Sequence, residues 1–362
     1  MKQILWGTIF VFACLGSAAH AVEFSIFSDI RYVTGNNDEQ GFALGKFNVV
    51  TQPNLSEKTY AIVDVLLEAD QDTVDTSIKR LSINHSFSKL FEVGAGLYIK
   101  PLGFWNYNFA LGSLSQQTVT RPYLFSIEDT DRGFVPSQLL GLLIGGETQN
   151  WSYQFALSNS EGINSSSAAS GTGPARVVPI NTVSPSDDYT LFLRTTYSVT
   201  DTIELGFMAS AYSYTETSSS GLVPIGKTLF QQNLLSLDFS YFGQAFSMFG
   251  EYYFMQGEDN QNLSGGGLTA NPNKYNSTAY YLQLGYEIMK NLTLVGRFES
   301  LDYDADATLY LAQGIVPQTQ TVAGVNYLLE DSHALRFEFQ QIEPEAGASE
   351  TVYYFQWFFY LL

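Results

Sequence analysis

The sequence predicts an all-β protein, a transmembrane antiparallel β-barrel of about sixteen strands, and three observations support that prediction. Apolar and polar residues alternate with a period of two along segment after segment. These segments are joined alternately by short turns and by long polar loops. Aromatic and charged residues each make up 15% of the chain, and mean hydropathy is −0.02. Together these features are typical of strands that face lipid on one side and water on the other.

The composition of the 362 residues excludes several classes of protein. Soluble domains carry roughly 25% charged residues, so a charged fraction of 15% is low. The 27 Phe and 23 Tyr residues argue against a disordered acidic chain. The near-zero mean hydropathy and the short apolar runs argue against a bundle of membrane helices. A formal net charge of −19 leaves no basic patch for phosphates, so nucleic acid is not expected as a partner.

Residues 1–21 are predicted to be a secretory signal peptide, and residues 22–362 the barrel domain. After the positively charged Lys2, the segment has an apolar core at Ile4–Leu15 and an A-x-A cleavage site at Ala19–Ala21. A core of about a dozen apolar residues is too short to span a bilayer as a helix. The only cysteine, Cys14, lies in this segment, so the mature chain is predicted to lack disulfides and Cys-ligated metals.

The alternation occurs in strands predicted near both ends of the chain. In Ala334–Gln340, Phe337 and Phe339 lie on one face, whereas Arg336 and Glu338 lie on the other. The same pattern occurs in four further segments, which are Val22–Tyr32, Thr59–Glu68, Ile203–Tyr212 and Leu292–Leu301. No segment shows sustained helical periodicity, so helices are not expected.

The predicted connections are short at one end of the strands and long at the other. The seven short turns are Pro53–Lys58, Ser88–Leu90, Gln149–Asn150, Ser198–Asp201, Gly243–Gln244, Met289–Asn291 and Glu330–Ser332. The eight long loops are Val33–Gly41, Ala69–Asp75, Ile99–Pro136, Asn159–Asp187, Glu216–Lys227, Gly257–Asn276, Tyr303–Gln318 and Glu343–Glu350. A soluble sandwich or propeller is the competing all-β class, but neither requires this alternation. A closed barrel also pairs every backbone N–H and C=O group, as lipid demands.

The C-terminal strand and a central stretch carry a resemblance to a known family. Thr351–Leu362 holds seven aromatic residues. The stretch Lys100–Phe104 is followed by Arg121–Tyr123 and then by a glycine-rich strand at residues 141–146. With the export signal and the alternation, these features resemble Gram-negative outer-membrane porins, and the central stretch is similar to the superfamily that includes phosphate-selective porins.

This resemblance implies a bacterial outer-membrane location, contact with outer-membrane lipid and lipopolysaccharide, and a homotrimer. It also implies that the third and longest loop, Ile99–Pro136, folds into the barrel lumen and narrows the channel. Two features depart from the family pattern. The chain lacks the lysine-rich lining of phosphate-selective relatives, and it ends in Leu362 rather than in Phe or Trp.

The expected function is that of a porin, a passive diffusion channel for small hydrophilic solutes or ions with a mild cation preference. Two other functions stay open, a substrate-specific outer-membrane channel and a surface receptor or adhesin that uses the loops. The cation preference is expected because carboxylates outnumber basic residues on the inward face. Arg297 with Glu299, and Arg336 with Glu338, are expected to brace each other. The predicted pore-lining and constriction residues are Lys46, Asp64, Glu68, Arg80, Glu92, Glu128, Asp129, Asp131, Arg194, Arg297, Glu299, Arg336 and Glu338.

Three further patterns are not assigned a chemical role. Gly221–Thr228 matches the G-x-x-x-x-G-K-[ST] phosphate loop, but a strand rather than a helix is predicted to follow it. Asp302–Asp306 has the carboxylate spacing of a calcium loop but lacks the turn glycine and the bidentate glutamate. The two histidines of the mature chain, His85 and His333, lie near no predicted lumenal nucleophile. We therefore expect no catalytic residue, cofactor or metal site.

Overall fold

The computed structural model describes residues 24–36, 40–70, 73–109, 116–126, 138–170, 176–178, 187–221, 224–259, 273–305 and 307–361. The predicted signal peptide lies outside them. The described strands are β1 Phe24–Gly35, β2 Gly41–Leu44, β3 Phe47–Thr51, β4 Thr59–Asp70, β5 Thr73–Ser88, β6 Phe91–Ile99, β7 Gln138–Glu147, β8 Trp151–Asn159, β9 Glu161–Asn164, β10 Arg176–Val178, β11 Tyr189–Thr200, β12 Ile203–Glu216, β13 Thr228–Phe242, β14 Phe246–Asp259, β15 Asn273–Met289, β16 Leu292–Tyr303, β17 Gln318–Glu330, β18 His333–Pro344 and β19 Glu350–Leu361. The described helices are α1 Gly103–Phe109, α2 Tyr123–Ser126, α3 Ser166–Ser170 and α4 Thr308–Ala312.

Sixteen strands form a closed antiparallel barrel. β2 and β3 both pair with β1, so together they make one interrupted barrel strand. β9 and β10 pair with each other and belong to the connection between β8 and β11. The barrel strands β8 and β11 pair directly across this connection. β1 closes the barrel by pairing with β19, where Ile26 lies opposite Leu361. The prediction of a barrel of about sixteen strands is confirmed.

The short connections lie where the sequence predicts them. β5 and β6, β11 and β12, and β17 and β18 are each joined by a two-residue turn, at residues 89–90, 201–202 and 331–332. One predicted long loop is instead mostly strand, because β4 and β5 stay paired as far as Asp70 opposite Thr73. Antiparallel strands can continue beyond a bilayer for as long as each has a hydrogen-bonding partner.

The two faces of the barrel wall differ in polarity, as β13 illustrates. Leu235 and Leu237 are 49% and 61% exposed, whereas the intervening Ser236 and the following Asp238 are buried. Because the sheet closes on itself, one face of each strand points outward and the other points toward the barrel axis. The exposed apolar side chains therefore form an outer face suited to lipid, and the buried polar side chains form the inner face.

Aromatic and apolar side chains of the β6–β7 connection pack together with side chains of the barrel strands. Phe104, Trp105 and Phe109 of α1 are buried in a cluster with side chains of β12–β16. The Trp105 ring stacks on Phe125 of α2, with ring centroids 5.3 Å apart. The sequence did not predict these helices, because four to seven residues are too few to show a 3.6-residue period. No helix among the described residues is long and apolar enough to cross a membrane.

Candidate functional site in the barrel interior

Four of the predicted lining residues form two ion pairs among the N-terminal strands of the barrel. Arg80 Nε lies 3.1 Å from Asp64 Oδ2, and Lys46 Nζ lies 3.3 Å from Glu68 Oε1. Asp64 is fully buried, and its strand β4 is the hydrogen-bonded neighbour of the Arg80 strand β5. Each pair sums to zero net charge, so its field at a distance is that of a local dipole.

Two further ion pairs are buried on the inner face. Arg194 of β11 donates to both carboxylate oxygens of Asp238 on β13, at 2.8 and 3.0 Å. The ion pair crosses the intervening strand β12 at Gly206, where a Cβ atom would overlap the Asp238 carboxylate. Arg297 Nε donates to Glu299 Oε1 at 3.1 Å, as their spacing predicts. A bidentate guanidinium–carboxylate pair has a defined geometry, so the Arg194 pair also braces three neighbouring strands.

A buried carboxylate on β14 anchors helix α1. Glu251 Oε1 accepts the backbone N–H of Trp105 at 2.5 Å. The hydroxyls of Tyr253 and Tyr281 donate to the same carboxylate. Gly103 begins α1 with φ +60°, and a Cβ at that position would overlap Glu251. Glu251 is therefore satisfied by three donors although it is buried, and it fixes the start of the helix.

Residues 116–126 are anchored in the same way to β16 and β18. Glu338 accepts the backbone N–H of Val119 at 2.6 Å and both the N–H and the hydroxyl of Thr120. Arg297 donates to the carbonyl oxygen of Thr120 at 2.9 Å. Charge-assisted hydrogen bonds of this kind are about twice as strong as neutral ones.

The anchoring carboxylates occupy alternate strands of the barrel wall. Glu251, Glu299 and Glu338 lie on β14, β16 and β18, and each accepts a backbone N–H from the connection between β6 and β7. The donor to Glu299 is Tyr123. β6 and β7 pair with each other and with β5 and β8, so this connection contacts strands that are remote from its own ends.

Lys100 and Glu161 join two connections through a buried ion pair. Lys100 Nζ donates to Glu161, and it also lies 5.4 Å from the centre of the Tyr212 ring. The side chains of Lys100 and Glu161 are only 1% and 9% exposed. Glu161 begins β9, outside the sixteen barrel strands, and burial raises the pKa of its carboxyl group while the lysine charge opposes that rise. The pair therefore attaches the β6–β7 connection to the β8–β11 connection.

Two cavities lie beside these contacts. One, of about 610 Å³, is lined at the turn end of β5–β8, β11 and β12 by residues that include Glu92, Glu204 and Tyr107. The other, of about 170 Å³, lies between residues 116–121 and the wall, where Arg336 is among the lining residues. Both are large enough for several water molecules.

Known proteins match this chain in fold but not in sequence. No protein-family model matches the sequence, and no curated protein matches it. Solved structures match its fold. The Salmonella typhi OmpF complex with daunomycin has a TM-score of 0.63 at 9% identity, over 94% of this chain and 97% of that chain. The anion-selective porin from Comamonas acidovorans has a TM-score of 0.61 at 10% identity, over 94% and 99%. The trimer form of in-vitro folded Vibrio cholerae OmpT has a TM-score of 0.57 at 8% identity, also over 94% and 99%.

The chain has the fold of outer-membrane porins.

Within the porin fold, ten of the thirteen predicted pore-lining residues are described, on or beside barrel strands. Seven of them form the ion pairs given above. Of the others, Glu92 accepts a hydrogen bond from the Tyr60 hydroxyl at 2.7 Å, and Arg336 donates to Gln356 Oε1 at 2.9 Å. The tenth, Glu338, binds Val119 and Thr120 of the β6–β7 connection. The three predicted constriction residues that lie outside the described residues are Glu128, Asp129 and Asp131, and they stay a prediction.

Sequence reasoning did not identify the contacts that anchor the β6–β7 connection. The period-two pattern places Glu251 on the inner face, but its partner Trp105 lies 146 residues away in the chain. Lys100 and Glu161 are 61 residues apart. Neither separation corresponds to a local spacing rule, so no signal in a single sequence pairs these residues.

The described residues of the three unassigned patterns take part in strand pairing and in local hydrogen bonds. A strand, β13, begins at Thr228, as predicted for the segment that resembles a phosphate loop. Asp304 accepts the backbone N–H of Asn276 at 2.7 Å. His85 Nδ1 lies 2.8 Å from Thr59 Oγ1. Within the described part of the chain, no group of three or more His, Cys, Asp or Glu side chains could hold a metal ion.

Proposed function

We propose that this protein is an outer-membrane channel through which small hydrophilic solutes and ions diffuse passively. The observation that carries the proposal is a closed sixteen-stranded barrel with an apolar outer face and a charged inner face. Such an outer face would contact membrane lipid and lipopolysaccharide. The proposal also includes removal of residues 1–21 on export, absence of enzymatic activity, and assembly as a homotrimer, since one structural neighbour is described in a trimer form.

The β6–β7 connection is proposed to lie in the lumen and to narrow it. Its hydrogen bonds to Glu251, Glu299 and Glu338 support this placement, because these side chains belong to the inner face of strands remote from β6 and β7. A chain segment that runs between these positions inside the wall would cross the lumen. The aromatic cluster around α1 would then close part of the cross-section.

A mild cation preference is proposed for the open part of the lumen. The ion pairs of the wall cancel much of the charge of its basic residues. Glu92 and Glu204 line the larger cavity, and neither forms an ion pair with a lysine or arginine of the described residues. Uncompensated carboxylates in a water-filled passage favour cations.

Recordings in planar lipid bilayers test both parts of the proposal. We expect large, steady single-channel steps and a reversal potential under a KCl gradient that shows potassium preference. A clear chloride preference would overturn the cation preference and leave the channel in place. Purified, folded barrel that inserts into the bilayer without conductance would overturn the channel and favour a surface receptor or adhesin.

A substrate-specific channel is the second candidate, and the aromatic cluster favours it. Phe104, Trp105 and Phe109 are buried in one cluster, and in the proposed placement they would take up lumenal space that a general diffusion pore leaves to water. A specific channel would show concentration-dependent block of its ion current by one solute class, whereas a general channel would pass similarly sized solutes without block.

A further inference from the structure

We propose that the 610 Å³ cavity at the turn end of the barrel binds a small hydroxylated organic cation, with amino sugars as the chemical class. This inference rests on the proposed channel only for how the solute reaches the site. It goes beyond channel activity, because a diffusion channel does not require a ligand-binding site in this part of the barrel.

The size and position of the cavity suit a small solute. Ligand sites commonly enclose roughly 300–1,000 Å³, and this cavity of about 610 Å³ falls within that range. It is lined by the turns between β5 and β6 and between β7 and β8, and also by α1. A solute could therefore enter from the turn end without passing residues 116–126.

One aromatic ring projects from α1 into this cavity. Tyr107 is 58% exposed, whereas Phe104, Trp105 and Phe109 of the same helix are buried in the aromatic cluster. The buried side chains hold the helix in place, so the Tyr107 ring is presented to the cavity from an anchored helix. Such a face attracts cations and covers the C–H face of a sugar ring.

The charges around the cavity favour a cation. Its lining contains three carboxylates, Glu92, Glu147 and Glu204, and two basic residues, Lys89 and Arg194. The Arg194 guanidinium is already bound to both oxygens of Asp238, so it offers little to an anionic ligand. The field in the cavity is therefore negative.

Hydrogen bonds from neighbouring side chains fix the orientation of the Glu92 carboxylate. The Tyr60 hydroxyl donates to one carboxylate oxygen at 2.7 Å, and the Ser86 hydroxyl donates to the other. Hydrogen bonds of this kind fix the orientation of a carboxylate before a ligand arrives. An ammonium group that approaches it needs no rearrangement of the wall, which lowers the cost of binding.

Neutral polar groups form much of the remaining lining and match hydroxyl groups of a ligand. Asn84, Gln154, Thr196 and Ser198 contribute amide and hydroxyl groups to the cavity surface. Amides and hydroxyls both donate and accept hydrogen bonds. A ring with several hydroxyls and one ammonium group therefore fits this lining better than an alkylammonium ion or a sugar acid does.

Titration calorimetry on the full, detergent-solubilised barrel tests the site with three probes of similar size, glucosamine, N-acetylglucosamine and glucuronate. We expect glucosamine to bind most tightly and glucuronate not to bind. Glu204→Gln and Tyr107→Ala should each weaken glucosamine binding by about three- to fivefold, the scale of one partly exposed charge or cation–π contact. The matched control is Glu287→Gln, which removes one carboxylate near the turn end outside this lining and should bind like the unaltered protein.

Equal binding of all three probes, or no binding of glucosamine, would overturn the proposal. So would an unchanged affinity in both Glu204→Gln and Tyr107→Ala, once unheated gel migration shows that each variant is folded. Ion conductance is recorded separately. A protein that conducts but does not bind glucosamine overturns this site alone, whereas one that binds glucosamine but does not conduct overturns the channel alone.

Discussion

At the scale of single residues, the interior carboxylates have two distinct roles. Asp64 and Asp238 pair with arginines of the wall, Glu251 and Glu338 accept backbone N–H groups from the β6–β7 connection, and Glu299 does both. A carboxylate that accepts several hydrogen bonds is fixed in orientation even when it is buried. A count of acidic residues alone therefore overstates the uncompensated negative charge of the inner face.

The Lys100–Glu161 pair gives a prediction in which the sign of the pH dependence matters. Lys100→Met leaves a buried carboxylate without its partner, so we expect a loss of about 3–5 kcal/mol of folding stability at neutral pH. Burial already raises the pKa of Glu161 above its ordinary value, and removal of the lysine charge raises it further. A folded-state pKa above the unfolded value means that stability falls as pH rises between the two values.

The variant should therefore be closer to the unaltered protein at pH 5 than at pH 7.5. The measurement is the temperature at which folded barrel is lost, followed by the gel mobility of unheated samples at each pH. Lys100→Met combined with Glu161→Leu is the control, since it removes both charges and should recover most of the loss. A pH-independent deficit in the single variant would contradict this account.

At the scale of elements, Gly103 decides how α1 meets the wall. Gly103→Ala would place a side chain at φ +60° and against the Glu251 carboxylate. We expect α1 to lose about 1–3 kcal/mol of docking stability, seen as faster hydrogen exchange at the Trp105 amide. Gly296→Ala is the matched control, because its Cβ would meet nothing within 4 Å. Equal exchange in the two variants would show that α1 does not depend on this contact.

At the scale of elements, the sequence predicts the strands and turns but not the helices. Period-two alternation and turn composition predicted the strands and the seven turns, because both depend on neighbouring residues. The helices α1–α4 and the contacts of Glu251 and Glu338 were not predicted. They arise from packing between residues far apart in the chain, as with Val119 and Glu338 at a separation of 219 residues. A period-two pattern assigns such side chains to a face but not to a partner.

At the scale of the whole molecule, the barrel and the β6–β7 connection are held by different interactions. Every neighbouring pair of barrel strands is joined by a backbone hydrogen-bond ladder that closes through β1 and β19. In lipid such a ladder has no competing partner for its N–H and C=O groups. The β6–β7 connection instead depends on side-chain anchors and on the aromatic cluster. The two parts should therefore be separable.

Replacing residues 104–125 with a Gly-Ser segment of equal length tests this separation. We expect a barrel that still folds and resists heat, and single-channel conductance that rises by about twofold or more as the lumen widens toward that of an empty sixteen-stranded barrel. The same replacement at residues 345–349, an exposed connection between β18 and β19, should leave conductance unchanged. Unchanged conductance in the first variant would show that the β6–β7 connection lies outside the ion path. Loss of the folded barrel would show that the connection is part of the wall's stability, contrary to the closed ladder of β1–β19.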